Sequence, residues 1–209
     1  MTHTWFFAVN EDDSSEGWAA SGIKHFQAHP INSLAREIVQ NSLDAKSSES
    51  AQVVVTFELT KKPIDEFPGK EKISTVLNEL LGKSRIFYNE EDRGEILGAK
   101  RNLDQNNIRL LQVQEEGTTG MRGPCEPGKP FYKYMKASSQ SDKNDEGARG
   151  SHGQGKNAPL ANSSLRTIFV SAKSADEETL IMGRTTLASH YNYDGPEQKL
   201  MKNIIQTVH

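Results

Sequence analysis

Apolar positions along the chain recur with two periods, and these periods place most of the expected elements. Between residues 33 and 46, Ala35, Ile38, Val39 and Ser42 recur at i, i+3, i+4 and i+7, which gives a helix one small, mostly apolar face. Asn32 or Ser33 offers the side-chain cap for its start. A shorter helix is expected over 21–27, stopped ahead of Pro30. Residues 51–60 (AQVVVTFELT) are rich in β-branched side chains and alternate as a strand does, and 108–113 (IRLLQV) reads as a second strand. Between them, 61–72 is charged and carries Pro63 and Pro68, 73–81 is helical with Gly82 as its stop, and 85–107 is a further helix and loop. Segments 165–173 (LRTIFVSAK) and 179–187 (TLIMGRTTL) form a strand pair across a polar turn. Beyond Pro196, the spacing of Leu200, Ile204 and Val208 predicts a terminal helix.

Two stretches lack a core pattern. Residues 1–20 combine Trp5, Phe6 and Phe7 with an acidic run and read as an arm, at most a short docking strand. Residues 114–156 are dense in Gly, Ser, Lys, Asp and Asn, and a loop of that length in a compact domain reads as a lid or an irregular segment. The expectation is an α+β chain with one domain over 21–209, built as a sheet with helices on one face.

Composition narrows the function classes. With 34% hydrophobic and 25% charged residues, the 209-residue chain has enough apolar material for one domain with long solvated segments. The net charge of −3 provides no basic field for nucleic acid, so nucleic-acid binding has no bulk electrostatic support. One cysteine, Cys125, excludes an internal disulfide and a cysteine-based zinc site. The six histidines show no ligand spacing. No leader pattern and no run near the ~20 apolar residues of a membrane span is visible, so a soluble cytoplasmic protein is expected.

Three segments carry candidate chemistry. In REIVQNSLDA (36–45), Glu37, Asn41 and Asp44 stand at i, i+4 and i+7 and share one helix face. A carboxylate one turn from an amide suits a general base beside a ligand for a hard cation; a solvated polar stripe has the same spacing. In QEEGTTGMRG (114–123), Glu115 ends a strand ahead of glycines, where a carboxylate can accept from a base amino group; a plain glycine turn reads the same way. In GSHGQGK (150–156), three glycines leave N–H groups free to converge on phosphate, with Lys156 adding positive charge. This run approaches a P-loop, but Asn157 replaces the hydroxyl residue and no strand leads into it. Lys129, Lys133 and Lys136 interleave with Phe131, Tyr132 and Tyr134, a patch suited foremost to a hydrophobic anchor of the lid, and otherwise to a partner or single-stranded nucleic acid.

The order of these segments resembles the GHKL ATPases, which include gyrase B, MutL and the large heat-shock chaperones. It is most similar to bacterial ATP-binding proteins with a REIVQNSLDA-like helix and a GSHGQGKNAP-like lid. The resemblance implies a two-layer α/β sandwich of Bergerat type, with a mixed sheet, helices on one face and a long glycine-rich ATP lid at about 114–156. It implies ATP and Mg2+ as ligands, Glu37 as general base and Asn41 as magnesium ligand. Nucleotide contacts are implied for Asn41, Asp44, Glu115, Gly117, Thr119 and Gly120, for Gly150, Ser151, Gly153, Gln154, Gly155 and Lys156, and for Thr167. Glu115 stands where the family has Asp, and the glycine motif is spaced E-x-G-x-x-G rather than D-x-G-x-G. The implied activity is ATP hydrolysis coupled to a protein partner, a homodimer mate or a downstream region. The alternative is a nucleotide-gated interaction module with little hydrolysis.

Overall fold

The computed structural model describes residues 4–9, 16–18, 21–137, 155–174, 179–192 and 199–208. Helix α1 (Ser21–Gln27) is followed by α2 (Pro30–Asp44). The latter starts ahead of the expected Asn32 or Ser33 cap, because Pro30 at the first helical position needs no N–H partner and is already set to helical φ. Strand β2 (Val54–Pro63) leads through a short 3-10 turn into α3 (Lys70–Leu81), then α4 (Glu90–Leu103) and β3 (Asn107–Glu116). Helix α5 (Pro130–Met135) lies inside the stretch expected as lid, and α6 (Ala158–Asn162) precedes β4 (Thr167–Ala172), β5 (Leu180–Thr185) and β6 (His190–Asn192).

Helices α3 and α4 build the larger core. The buried positions Ile73, Val76, Leu77 and Leu80 follow helical spacing, as do Ile96, Ala99 and Leu103. Trp5, Trp18, Ile64, Leu165, Leu187 and Ala188 complete this cluster. The Asn89 side chain caps α4 by accepting from the Asp92 N–H at 2.8 Å, and acidic residues fill its first turn while Lys100 and Arg101 lie in its last. A second core holds Phe131 and Met135 of α5 against Ala172 and Met182 of the strands, which makes Phe131 of the 129–136 patch a buried anchor.

Residues 199–208, expected as a helix, form strand β7 (Lys199–Val208). The i, i+4 spacing of Leu200, Ile204 and Val208 suits a helix, but Ile204, Ile205, Thr207 and Val208 are β-branched and two strands offer edges to pair with. Strand β7 pairs antiparallel with β1 (Thr4–Val9) on one side and β5 on the other, while β6 also pairs with it. The β4–β5 hairpin occurs as expected, with Thr167 opposite Thr185. The strands do not join into the single mixed sheet expected. Among the described residues there is a five-stranded sheet of order β1-β7-β5-β4, with β6 on β7, and a separate β2–β3 ribbon, and every pairing is antiparallel. Alternation along a strand shows that it has a buried side but not which edge it meets, so sheet membership is not readable locally.

Candidate functional site

Two of the chemical segments, 114–123 and the described end of 150–156, meet the third, which lies on α2. At its C-terminal end the glycine turn after β3 is tied on by backbone bonds: Thr119 N–H donates to Ala45 O at 2.8 Å and Ser47 N–H to Gly117 O at 3.0 Å, beside a Lys46–Thr118 bridge. Gly117 and Gly120 both have positive φ, and a Cβ on either would fall 2.1 Å from Gln52 O or 2.5 Å from Lys173 O. Those glycines are therefore required by the turn and the close passage of backbone, whatever else they contact. One turn back along α2, the buried Ser42 hydroxyl lies 2.5 Å from Glu115 Oε2 and 2.8 Å from Ile38 O. Further along the helix, Glu37 abuts Gly155: a Cβ built on Gly155 would stand 2.3 Å from Glu37 Oε2.

Glu37, Asn41 and Asp44 all line a cleft of about 3180 Å³, together with Glu115, Gly120, Gly155, Lys156 and Thr167. Ala35 and Ile38 line it as well, so part of the expected apolar face of the helix also turns to the cleft. Its fully sequestered positions are Leu34 and Ser42, while Val39 and Leu43 are exposed. The apolar residues Phe57, Leu59, Leu111 and Val113 of the β2–β3 ribbon form another wall. Among the described residues the cleft lining includes six basic residues (Arg36, Lys61, Arg109, Lys133, Lys156 and Lys173) against three acidic ones (Glu37, Asp44 and Glu115). A chain of net charge −3 thus concentrates positive charge around one concavity, which favours an anionic occupant.

Individual groups are held as follows. The Glu37 carboxylate is mostly withdrawn from solvent, with 13% of the side chain exposed, and meets Arg36 at 3.5 Å. Asn41 and Asp44 are exposed to the cleft. Lys156 donates to the carbonyls of Lys133, at 3.3 Å, and of Ala137, both at the C-terminal end of α5. The Thr167 hydroxyl is buried, 2.8 Å from both Leu165 O and Thr185 Oγ1. Burial pushes the Tyr134 phenol up to about 12, with Arg184 opposing the shift and the Glu115 carboxylate adding to it. Burial also lowers the Arg184 guanidinium, which donates to Tyr134 O at 3.3 Å. Burial raises the Cys125 thiol, the opposite of what a nucleophilic thiolate needs. Gly150, Ser151, Gly153 and Gln154 lie outside the described residues.

Sequence reasoning misses two contributors. The helical period places Ser42 on the apolar face, although a hydroxyl there signals a polar partner across the packing. Tyr134 reads from the sequence as one of the anchoring aromatics; it packs against the Phe131–Met135 core as expected and also lines the cleft. Among the described residues no group of three or more His, Cys, Asp or Glu is placed to hold a metal ion, and no helix is long and apolar enough to cross a membrane. No family model, no curated protein and no solved structure matches the chain.

Proposed function

We propose that the chain is an ATP-binding module of the Bergerat type that hydrolyses Mg–ATP in the cleft beside α2. The observation that carries this reading is the convergence of two separated segments on that helix: 114–123, through Glu115 on Ser42 and the 117–120 turn on Ala45 and Ser47, and 155–156, through Gly155 against Glu37. A solvated polar stripe does not by itself call for Gly155 to pack against the Glu37 carboxylate. The positive lining supports a polyanionic ligand, and the Glu115 carboxylate at the cleft wall is an acceptor suited to an exocyclic amino group.

In this reading Glu37, at the cleft wall, accepts a proton from the attacking water. The Asn41 amide oxygen, exposed to the cleft, would hold magnesium, a cation that prefers oxygen donors. Magnesium, when bound, offsets phosphate charge. Lys156 leaves the α5 carbonyls for phosphate, and the backbone around Gly155 supplies N–H donors. A homodimer mate or another protein receives the resulting change.

The test is nucleotide binding and turnover by the purified chain with ATP, with GTP and without magnesium. Glu37→Ala should keep Mg–ATP binding and lower turnover by about 10²–10⁴-fold, the usual scale for losing a general base. Binding without turnover in the unaltered chain would point to the nucleotide-gated module. No binding of either nucleotide would sink both readings.

A further inference from the structure

Gly155 is the place where the phosphate-side segment touches the candidate general base. The Cβ that any other residue would carry stands 2.3 Å from Glu37 Oε2, 3.2 Å from its Cδ and 3.8 Å from its Cγ. Among the described residues, the three nearest neighbours of that Cβ thus all belong to the Glu37 side chain. The backbone of Gly155 does not require glycine, since its φ lies outside the positive range that L residues avoid. This separates it from Gly117 and Gly120, where φ is positive and the obstruction is main-chain carbonyl.

We infer that Gly155 is a positioning residue for Glu37: by lacking a side chain, it leaves the Glu37 carboxylate room to stand where it activates water. The inference rests on the proposed ATPase reading and adds a role distinct from any N–H contact to phosphate. The geometry makes the role separable. An alanine is compatible with the backbone here, and what it meets is the far end of a flexible side chain. The fold therefore tolerates it, while the carboxylate must retreat by about 1 Å, from 2.3 Å to the 3.4 Å of an ordinary contact. A misplacement of that size at a reacting group lowers rate by about 10²-fold.

The experiment compares the parent chain with Gly155→Ala, Glu37→Gln and the double variant, reading melting temperature, Mg–ATP affinity, kcat and KM. The expected result is an unchanged melting temperature and affinity for Gly155→Ala, with kcat lowered about 100-fold. In the Glu37→Gln background the same alanine should lower kcat no further, because no carboxylate base remains to be displaced. In a Glu37→Asp background the penalty of Gly155→Ala should shrink, since the shorter side chain already stands back. The inference is overturned if Gly155→Ala keeps the parental kcat, if it lowers kcat equally in the parent and in the Glu37→Gln background, or if it acts on affinity with kcat unchanged. Failure of the Gly155→Ala chain to fold also overturns it, because then more than the Glu37 side chain has to move. A parent chain that binds ATP but shows no turnover, or that binds none, counts instead against the ATPase reading, and the inference falls with it.

Discussion

Among the described residues, the bond between Ser42 and Glu115 links the side chains of α2 and β3, and removing it has a size that the structure fixes. Ser42 Oγ has a single proton and two acceptors within reach, the Glu115 carboxylate at 2.5 Å and Ile38 O at 2.8 Å. Ile38 O also lies four residues before the Ser42 N–H, the main-chain pairing of an α-helix. The proton therefore goes to the carboxylate, a charge-assisted bond worth about 1.5–3 kcal/mol. Glu115 is an exposed residue and water can replace the lost donor, so the expected loss in Ser42→Ala lies at the lower end, about 1.5 kcal/mol. The removed oxygen is itself buried, so the cavity left is the size of one atom and adds little. Urea unfolding of the parent, Ser42→Ala, Glu115→Ala and the double variant measures it, with an unchanged m-value showing that only stability has moved. The sum of the two single losses should exceed the loss in the double variant by about 1 kcal/mol, the signature of coupled partners. Additivity within about 0.3 kcal/mol would show that the bond is not made in solution, and with it the argument that Ser42 anchors Glu115 at the cleft would fail.

Other expectations follow from the same geometry. Asn41→Ala should weaken nucleotide binding in magnesium and much less in EDTA; an equal effect in both buffers would make Asn41 structural. Gly94→Ala and Gly98→Ala, inside α4 where an added Cβ meets nothing within 4 Å, should each stabilise the chain by about 0.5–1 kcal/mol in thermal or urea unfolding, and a loss of stability would refute the open space assigned there. His190 is buried, and desolvation, aided by Lys72, holds its imidazole below the ordinary value while the hydrogen bond to the Ala188 carbonyl opposes this. The folded state then binds its proton less readily than the unfolded state, so stability is full above about pH 6.5 and falls as pH drops towards the folded value. His190→Gln should flatten that part of the stability–pH curve, and an unaltered curve would assign the slope to other groups.

Local patterns in the sequence are enough for the elements whose signals are local. Helices α1 and α3, the Gly82 stop, the strands β2 and β3 and the β4–β5 hairpin are legible because period, cap and turn residues act over a few positions. The stripe Glu37, Asn41, Asp44 is legible for the same reason, since helix geometry alone sets those side chains one above another. Tertiary structure decided the rest. The segment 204–208, β-branched at Ile204, Ile205, Thr207 and Val208, pairs as a strand with β1 and β5, whereas its apolar spacing alone favours a helix. Ser42 became a partner of Glu115 because β3 ends beside α2, a meeting 73 residues apart in sequence. Gly155 touches Glu37 across more than a hundred intervening residues, and no local period encodes that approach. Side-chain chemistry is written residue by residue, but which groups share a site depends on long-range packing, and packing is a property of the whole chain.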